Sequence, residues 1–345
     1  IDGHKLAFHP RWLANWLEGQ PQYPLYVEIS PSAACNHHCS FCSFDYVDHK
    51  GMLRGDLMVS LLSDLAHGGT KAVMLAGEGE PFASPYAILA IAEGTSKGLD
   101  MAVTTNGTLL PESDDLLLQL LKLSWIRFSV NAGHRNRYQA VHGTTEESWH
   151  RLWLNLDRLI ALRARYHSKA PTIGIQAVML PENLNELVWL AGKARNIGAD
   201  YFSVKPYTGH PLRQGQDVTL YPAPDIIGQL EALAGPDFQV IVRREAMEHH
   251  GQGRPYTSCY GLEAMAYVAA SGDVCPCSNF LGRPEYAYGN LKDKSFRDIW
   301  AGRWIVQARI NSDGLGGCRQ ICRMDQANRY LWQLKHEQPQ HVNFV

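Results

Sequence analysis

The chain is 345 residues long, 45% hydrophobic and 19% charged, which suits a soluble enzyme with one large core or two domains and gives no indication of disorder. Its formal net charge is −2, and no run of five or more basic residues marks a nucleic-acid or membrane-surface partner, so neither is expected. No apolar stretch reaches the roughly 18 residues of a membrane span, and the segment from Ile1 to Lys5 lacks an apolar signal-like core, so a cytoplasmic setting is expected.

Apolar runs bounded by turn residues predict six strands, at 25–29, 71–75, 100–104, 125–130, 173–178 and 201–204, with helical patterns between them such as 56–67 and 149–165. Strands separated by helices pair in parallel through right-handed crossovers, giving a barrel or a doubly wound sheet. Function then belongs at the strand C-terminal ends. Three motifs fall there: the loop Cys35 to Cys42 after the first strand, Gly77-Glu78-Gly79-Glu80-Pro81 after the second and Thr105-Asn106-Gly107 after the third. Beyond Lys205 the prolines at 206, 211, 222 and 224 break the rhythm. Residues 264–270 followed by Ser271-Gly272-Asp273 read as a strand ending in a turn, so a second domain is expected.

Eight cysteines in a cytosolic chain of this size point to metal binding or catalysis rather than to disulfides. Three lie between Cys35 and Cys42 and the other five between Cys259 and Cys322, the distribution of two separate metal sites. Cys35-Asn36-His37-His38-Cys39-Ser40-Phe41-Cys42 is C-x3-C-x2-C. A structural zinc or a ferredoxin cluster takes four protein ligands, whereas three leave a metal position open to an outside ligand. A zinc loop completed by His37 or His38 is the alternative.

With Phe41 just before its last cysteine, this loop resembles the signature of the radical S-adenosylmethionine (radical SAM) superfamily. The resemblance implies an α/β fold, a partial (β/α)6 TIM-like barrel over residues 22–230. In it Cys35, Cys39 and Cys42 would hold a [4Fe-4S] cluster whose open iron binds S-adenosyl-L-methionine, with Phe41 packed near the adenine. One-electron cleavage of that cofactor gives a 5′-deoxyadenosyl radical able to take hydrogen from an unactivated carbon; the protein positions and shields it. Gly79-Glu80-Pro81 resembles the family's Gly-Gly-Glu-Pro segment, so Gly79 and Glu80 are expected to bind the cofactor's amino group. Glu78 departs from that pattern where a glycine usually stands. Thr105, Asn106, Ser129 and Asn131 match positions that touch ribose or carboxylate in relatives, although Thr-Asn-Gly is also a plain turn. The polar segments His134 to Tyr138 and Lys205 to His210 suit an anionic or hydroxyl-rich substrate, or plain solvent.

The second group resembles the auxiliary-cluster domains called SPASM and, in shorter form, twitch. Cys259 is followed by twelve residues, Gly272, four residues and Cys277, and later by Cys318-x3-Cys322. Gly289-Asn290-Leu291, Ser295 and Asp298-Ile299-Trp300 match the intervening segment. This implies a smaller C-terminal α+β domain over 231–345, with Cys259, Cys277, Cys318 and Cys322 holding one auxiliary [4Fe-4S] cluster. A zinc ribbon would use the same four thiolates. Cys275 is left over, as an alternative ligand, a buried bystander or a catalytic thiol that returns hydrogen to a substrate radical. The reaction expected is hydrogen abstraction followed by oxidation (dehydrogenation) or epimerisation of a small polyol or sugar, with a flavodoxin- or ferredoxin-type reductant. Modification of a ribosomal peptide is the alternative substrate reading, and a two-cluster electron carrier or a zinc-binding module is the rival from another class.

Overall fold

Short apolar runs punctuated by helices from Tyr26 onward become one ten-stranded sheet in the computed structural model, which describes residues 3–213, 224–248, 252–319, 321–337 and 339–344. Pro222 and the first two residues of the N-terminal segment lie outside the described residues. The strands are β1 Tyr26–Ile29, β2 Ala72–Leu75, β3 Asp100–Thr105, β4 Trp125–Ser129, β5 Thr172–Val178, β6 Tyr201–Lys205, β7 Gln239–Val242, β8 Met265–Val268, β9 Asp273–Cys275 and β10 Gly289–Asn290. Their order is β10-β9-β8-β1-β2-β3-β4-β5-β6-β7, parallel from β8 to β7, with β9 and β10 antiparallel. A linear order with two edges is a partial barrel, and helices cover its outer face.

Alternation along each strand sorts side chains between the two faces. Val27, Ile29, Val73, Leu75, Val103, Phe128, Ile175 and Phe202 are buried in the core beneath the helices. The helix Gly55–Gly68 meets them through Met58, Leu61, Leu62 and Leu65, the spacing of one helical face, and ends where Gly69 takes a positive φ of 93°. The helix Glu146–Arg165 presents Trp149, Leu152, Leu156 and Leu159. Its acids lie in the first turn and its arginines in the last, matching the helix dipole.

The opposite face points into the barrel and is polar. Tyr26 Oη donates to Glu28 (2.7 Å), and Arg127 Nη2 donates to Thr104 Oγ1 (3.1 Å). Glu28, 2% exposed, forms an ion pair with Arg323, which follows Cys322 and so ties the second cysteine group to the barrel interior.

The six expected strands are present, and β8 ends in the expected turn at Gly272, where φ is 94°. Two features differ from the sequence reading. Gln239–Val242 adds a seventh parallel strand beside β6, so the boundary expected at residue 230 falls inside the parallel run. The first strand of the expected second domain, β8, pairs in parallel with β1 rather than standing apart. No helix among the described residues is long and apolar enough to cross a membrane.

Candidate active site

After β1 the chain leaves the sheet for a long loop that returns at the helix Gly55–Gly68. Cys35, Cys39 and Cys42 line a cavity of 510 Å³ at the C-terminal ends of the strands. All eight cysteines are free thiols. Burial raises the Cys35 thiol to about 11, with Glu80 and Cys42 adding repulsion. It raises Cys39 and Cys42 as well, and the neighbouring cysteines push Cys39 further.

The turn after β2 is fitted against this loop. A Cβ on Gly79 would stand 2.3 Å from the Ala34 carbonyl oxygen and 2.5 Å from the Ala33 carbonyl group, so only glycine permits the approach. Glu80 N donates to Ala34 O at 3.0 Å in the same place. The Glu80 carboxylate is 2% exposed and accepts from Thr105 Oγ1 (2.6 Å), Asn106 N (2.7 Å) and Phe82 N (3.2 Å). Burial outweighs these donors and lifts it to about 7. Both oxygens are thus engaged in holding the β2 and β3 turns together, with lone-pair capacity left on Oε2. Glu78, at the departing position, turns toward the second domain: its Oε1 accepts from Ala270 N at 3.1 Å, beyond β8.

Asn106 binds the cysteine loop rather than standing free. It donates through Nδ2 to Asn36 Oδ1 (2.8 Å) and hydrogen-bonds Cys35. Asn131 closes β4 onto β5, accepting from Val178 N at 2.7 Å, and its own N–H donates to His142 Nε2 at 3.1 Å. That bond makes Nε2 the acceptor and assigns the proton to Nδ1, which lies 3.5 Å from Cys39 Sγ as a donor. Burial holds His142 neutral, far below its ordinary range. His37 stands edge-on to His142, with neither ring nitrogen partnered among the described residues. Ligand atoms of His37, Cys39 and His142 lie within 4.8 Å of one another, so His37 rather than His38 is the histidine that a zinc loop would use.

Cys259, Cys277, Cys318 and Cys322 form a second group, in which Cys318 and Cys322 act on both Cys259 and Cys277, and Cys318 acts on Cys322. Burial raises Cys259 to about 12 and lifts the other three. Asn328 Nδ2 donates to Cys259 Sγ and Met324 N to Cys322 Sγ, each at 3.4 Å.

Cys275 joins neither group. Its thiol, 3% exposed, packs with Tyr267, Ala269 and Leu281 against Phe44 and Val47, and it is absent from the cavity wall. The charges that act on it are Asp273 and Glu78, not the other cysteines. The expectation of a substrate-facing thiol therefore meets a structure in which strand alternation at the end of β9 directs Cys275 into an apolar cluster.

Two family models match this chain, the radical SAM superfamily over residues 29–192 and an iron-sulfur cluster-binding domain, SPASM, over residues 259–323. The chain carries a radical SAM domain. Among curated radical SAM proteins it is similar to the tungsten-containing aldehyde ferredoxin oxidoreductase cofactor-modifying protein of Pyrococcus furiosus, 26% identical over 307 residues and 80% of each chain. The AdoMet-dependent heme synthase of Methanosarcina barkeri is 23% identical over 328 residues, covering 87% of this chain and 88% of that one. Among solved structures, SuiB of Streptococcus suis bound to S-adenosylmethionine superposes with a TM-score of 0.62 at 16% identity, covering 81% of this chain and 66% of that one. anSMEcpe with bound AdoMet gives 0.59 at 13% identity, covering 90% and 96%. At such identities these two share the fold.

A radical SAM chain with this C-terminal domain takes a [4Fe-4S] cluster that binds S-adenosylmethionine and an auxiliary cluster. The donor sets fit both. Each is a crowd of thiols with no disulfide, costly to ionise together unless iron shares the charge, and each receives N–H donors of the kind that support cluster sulfurs. Sequence reasoning missed His142, Arg319 and the Glu28–Arg323 pair. Each is distant in sequence from the residue it serves, and only the unusual Glu78 announced itself.

Proposed function

We propose that this radical SAM enzyme abstracts hydrogen from a carbon of a small, hydroxyl-bearing substrate of polyol or sugar type and completes its dehydrogenation. Supporting this, Cys35, Cys39, Cys42, Phe41, Gly79, Glu80, Thr105, Asn106, Ser129 and Asn131 all line one cavity. Cys35, Cys39 and Cys42 would hold the first cluster, and Cys259, Cys277, Cys318 and Cys322 the second. When bound, these groups supply one-electron cleavage of the cofactor, a radical able to take hydrogen, and an acceptor for the electron left on the substrate.

The chain's own residues bind and shield. Phe41 packs on Val141, Val178, Leu180 and Tyr207, an apolar wall that keeps water from the triad. Asn106 orients Cys35, and Glu80 fixes the β3 turn behind it. His142 holds its proton at Nδ1, toward Cys39. Epimerisation requires a hydrogen donor facing the substrate, and the burial of Cys275 away from the cavity favours oxidation instead. Curated relatives named for cofactor modification and heme synthesis favour a small molecule over a ribosomal peptide. The reductant in this reading is of flavodoxin or ferredoxin type, the setting is cytoplasmic, and the domains divide just after β7.

Anaerobic reconstitution, followed by incubation with dithionite, S-adenosylmethionine and deuterated polyols or activated sugars, tests the proposal. About eight iron per chain, deuterium in the 5′-deoxyadenosine and a product two hydrogens lighter are expected. An inverted centre in which one deuterium has been replaced by hydrogen, with no further loss, would instead establish epimerisation, and stoichiometric zinc in colourless protein would end the reading.

A further inference from the structure

The cationic groups of the barrel gather on one wall of the cavity. Lys205, at the C-terminal end of β6, and Arg319, immediately after Cys318, both line it. Arg127 of β4 and Arg243, just past β7, act on Lys205 from within the barrel. Strand alternation puts Arg127 on the interior face, where it bonds Thr104 and Tyr201.

The acids of the cavity wall are committed elsewhere. Asp45 pairs with Arg213 at 3.0 Å, Glu78 accepts from Ala270 N, and Glu80 from Thr105 and Asn106. Glu28, deeper in the barrel, pairs with Arg323. Among the described residues Lys205 has no hydrogen-bond or ion-pair partner, and the buried Nε and Nη2 of Arg319 have no acceptor. Cationic groups sequestered without a counter-charge are costly. Burial first, then the guanidiniums of Arg243, Arg127 and Arg319, force the Lys205 amine down to about 7. The second cysteine group does not relieve this: Cys277 and Cys322 act on Arg319, whereas only cations act on Lys205.

We infer that the wall formed by Lys205 and Arg319 binds an anionic group, a carboxylate or phosphate, of the substrate. An anion seated there supplies the missing counter-charge and the acceptors for the orphaned N–H groups. It also anchors the substrate at a point of the cavity distinct from the first cysteine loop, so that the remainder of the molecule is directed toward it. This rests on the radical reading of the same cavity. The cofactor carries a carboxylate too, and the test separates the two sources.

The reconstituted holoenzyme, saturated with S-adenosylmethionine, is titrated calorimetrically with inorganic phosphate and with succinate at low ionic strength. Saturable binding of at least one probe is expected, weakened tenfold or more in Lys205→Met and in Arg319→Gln, and recovered in Lys205→Arg. Iron content and thermal melting establish that each variant is folded and loaded. Because Lys205 is held against repulsion, its replacement by Met relieves the fold, and Arg319→Gln gives a second reading from the other side chain of the wall. No binding of either probe, or undiminished binding in both charge-removing variants, overturns the inference. A tenfold loss of S-adenosylmethionine affinity in Lys205→Met with probe binding intact assigns the cations to the cofactor's carboxylate and equally overturns it. Formation of 5′-deoxyadenosine by the unaltered enzyme is scored separately, so failure of the radical reading is distinguished from failure of the anion site.

Discussion

Gly79→Ala introduces one methyl group where the β2 turn meets the cysteine loop. The new Cβ would lie 2.3 Å from the Ala34 oxygen, and real Cβ contacts stay above 3.0 Å, so the two segments must part by about 0.7 Å. Both obstructing groups are backbone, which cannot swing aside as a side chain can. They lead directly into Cys35 and include the carbonyl that Glu80 N bonds. Overpacking of this kind costs roughly 1–3 kcal/mol, and the displacement exceeds the tolerance of about 0.2 Å for metal–ligand distances. The first cluster should therefore be lost or labile while the second, remote from the turn, survives. Iron and sulfide analysis with electron paramagnetic resonance of the reduced protein reads this directly, as a fall from about eight to about four iron per chain. Gly192→Ala, whose Cβ meets nothing within 4 Å in the helix Leu187–Ile197, is the control and should keep its iron, with stability raised by about 0.5–1 kcal/mol. Full iron and unaltered 5′-deoxyadenosine formation in Gly79→Ala would refute the argument.

Glu80 has its folded pKa raised to about 7, so the folded protein binds the extra proton between the ordinary carboxylate range and pH 7. Its contribution to stability accordingly grows as pH falls through 7 and is lost as pH rises; thermal melts of cluster-free protein from pH 5 to 8 should show this slope, and Glu80→Gln should lack it, whereas equal slopes would contradict the assignment. His142→Phe removes the N–H donor to Cys39 and should lower the midpoint potential of the first cluster, by about 40 mV for each kcal/mol by which the bond favours the reduced state; an unchanged redox titration would show that no such bond exists. Cys275→Ala should cost roughly 1–2 kcal/mol of packing and leave product formation intact, because the thiol is off the cavity wall; loss of product with cofactor cleavage preserved would restore the hydrogen-donor role.

Short stretches with an apolar residue at every other position, bounded by turn residues, made β1 to β6 legible almost residue by residue. β7 carries the same signal in Val240-Ile241-Val242 but follows a proline-rich stretch that masked it as part of another domain. The pairing of β8 with β1 could not be read at all, since register between segments more than 230 residues apart leaves no local trace. The cysteine loop and the turns after β2 and β3 were legible because close approach and ligand spacing demand particular residues at fixed intervals. What those residues do to one another was not. Glu80 and Asn106, expected to face the cofactor, spend most of their hydrogen bonds on the turns and the cysteine loop. Cys275 illustrates the opposite limit: two positions from Cys277, an expected ligand, in sequence, it is turned by strand alternation into an apolar cluster.

Chromatography of anaerobically reconstituted protein incubated with S-adenosylmethionine and dithionite tests the central claim most directly. The account predicts 5′-deoxyadenosine from the unaltered chain, none from Cys39→Ala, and continued formation in a Cys259→Ala variant that keeps the first cluster. Absence of 5′-deoxyadenosine despite a full complement of iron, or its persistence in Cys39→Ala, would contradict the assignment of Cys35, Cys39 and Cys42 to the cluster that cleaves the cofactor.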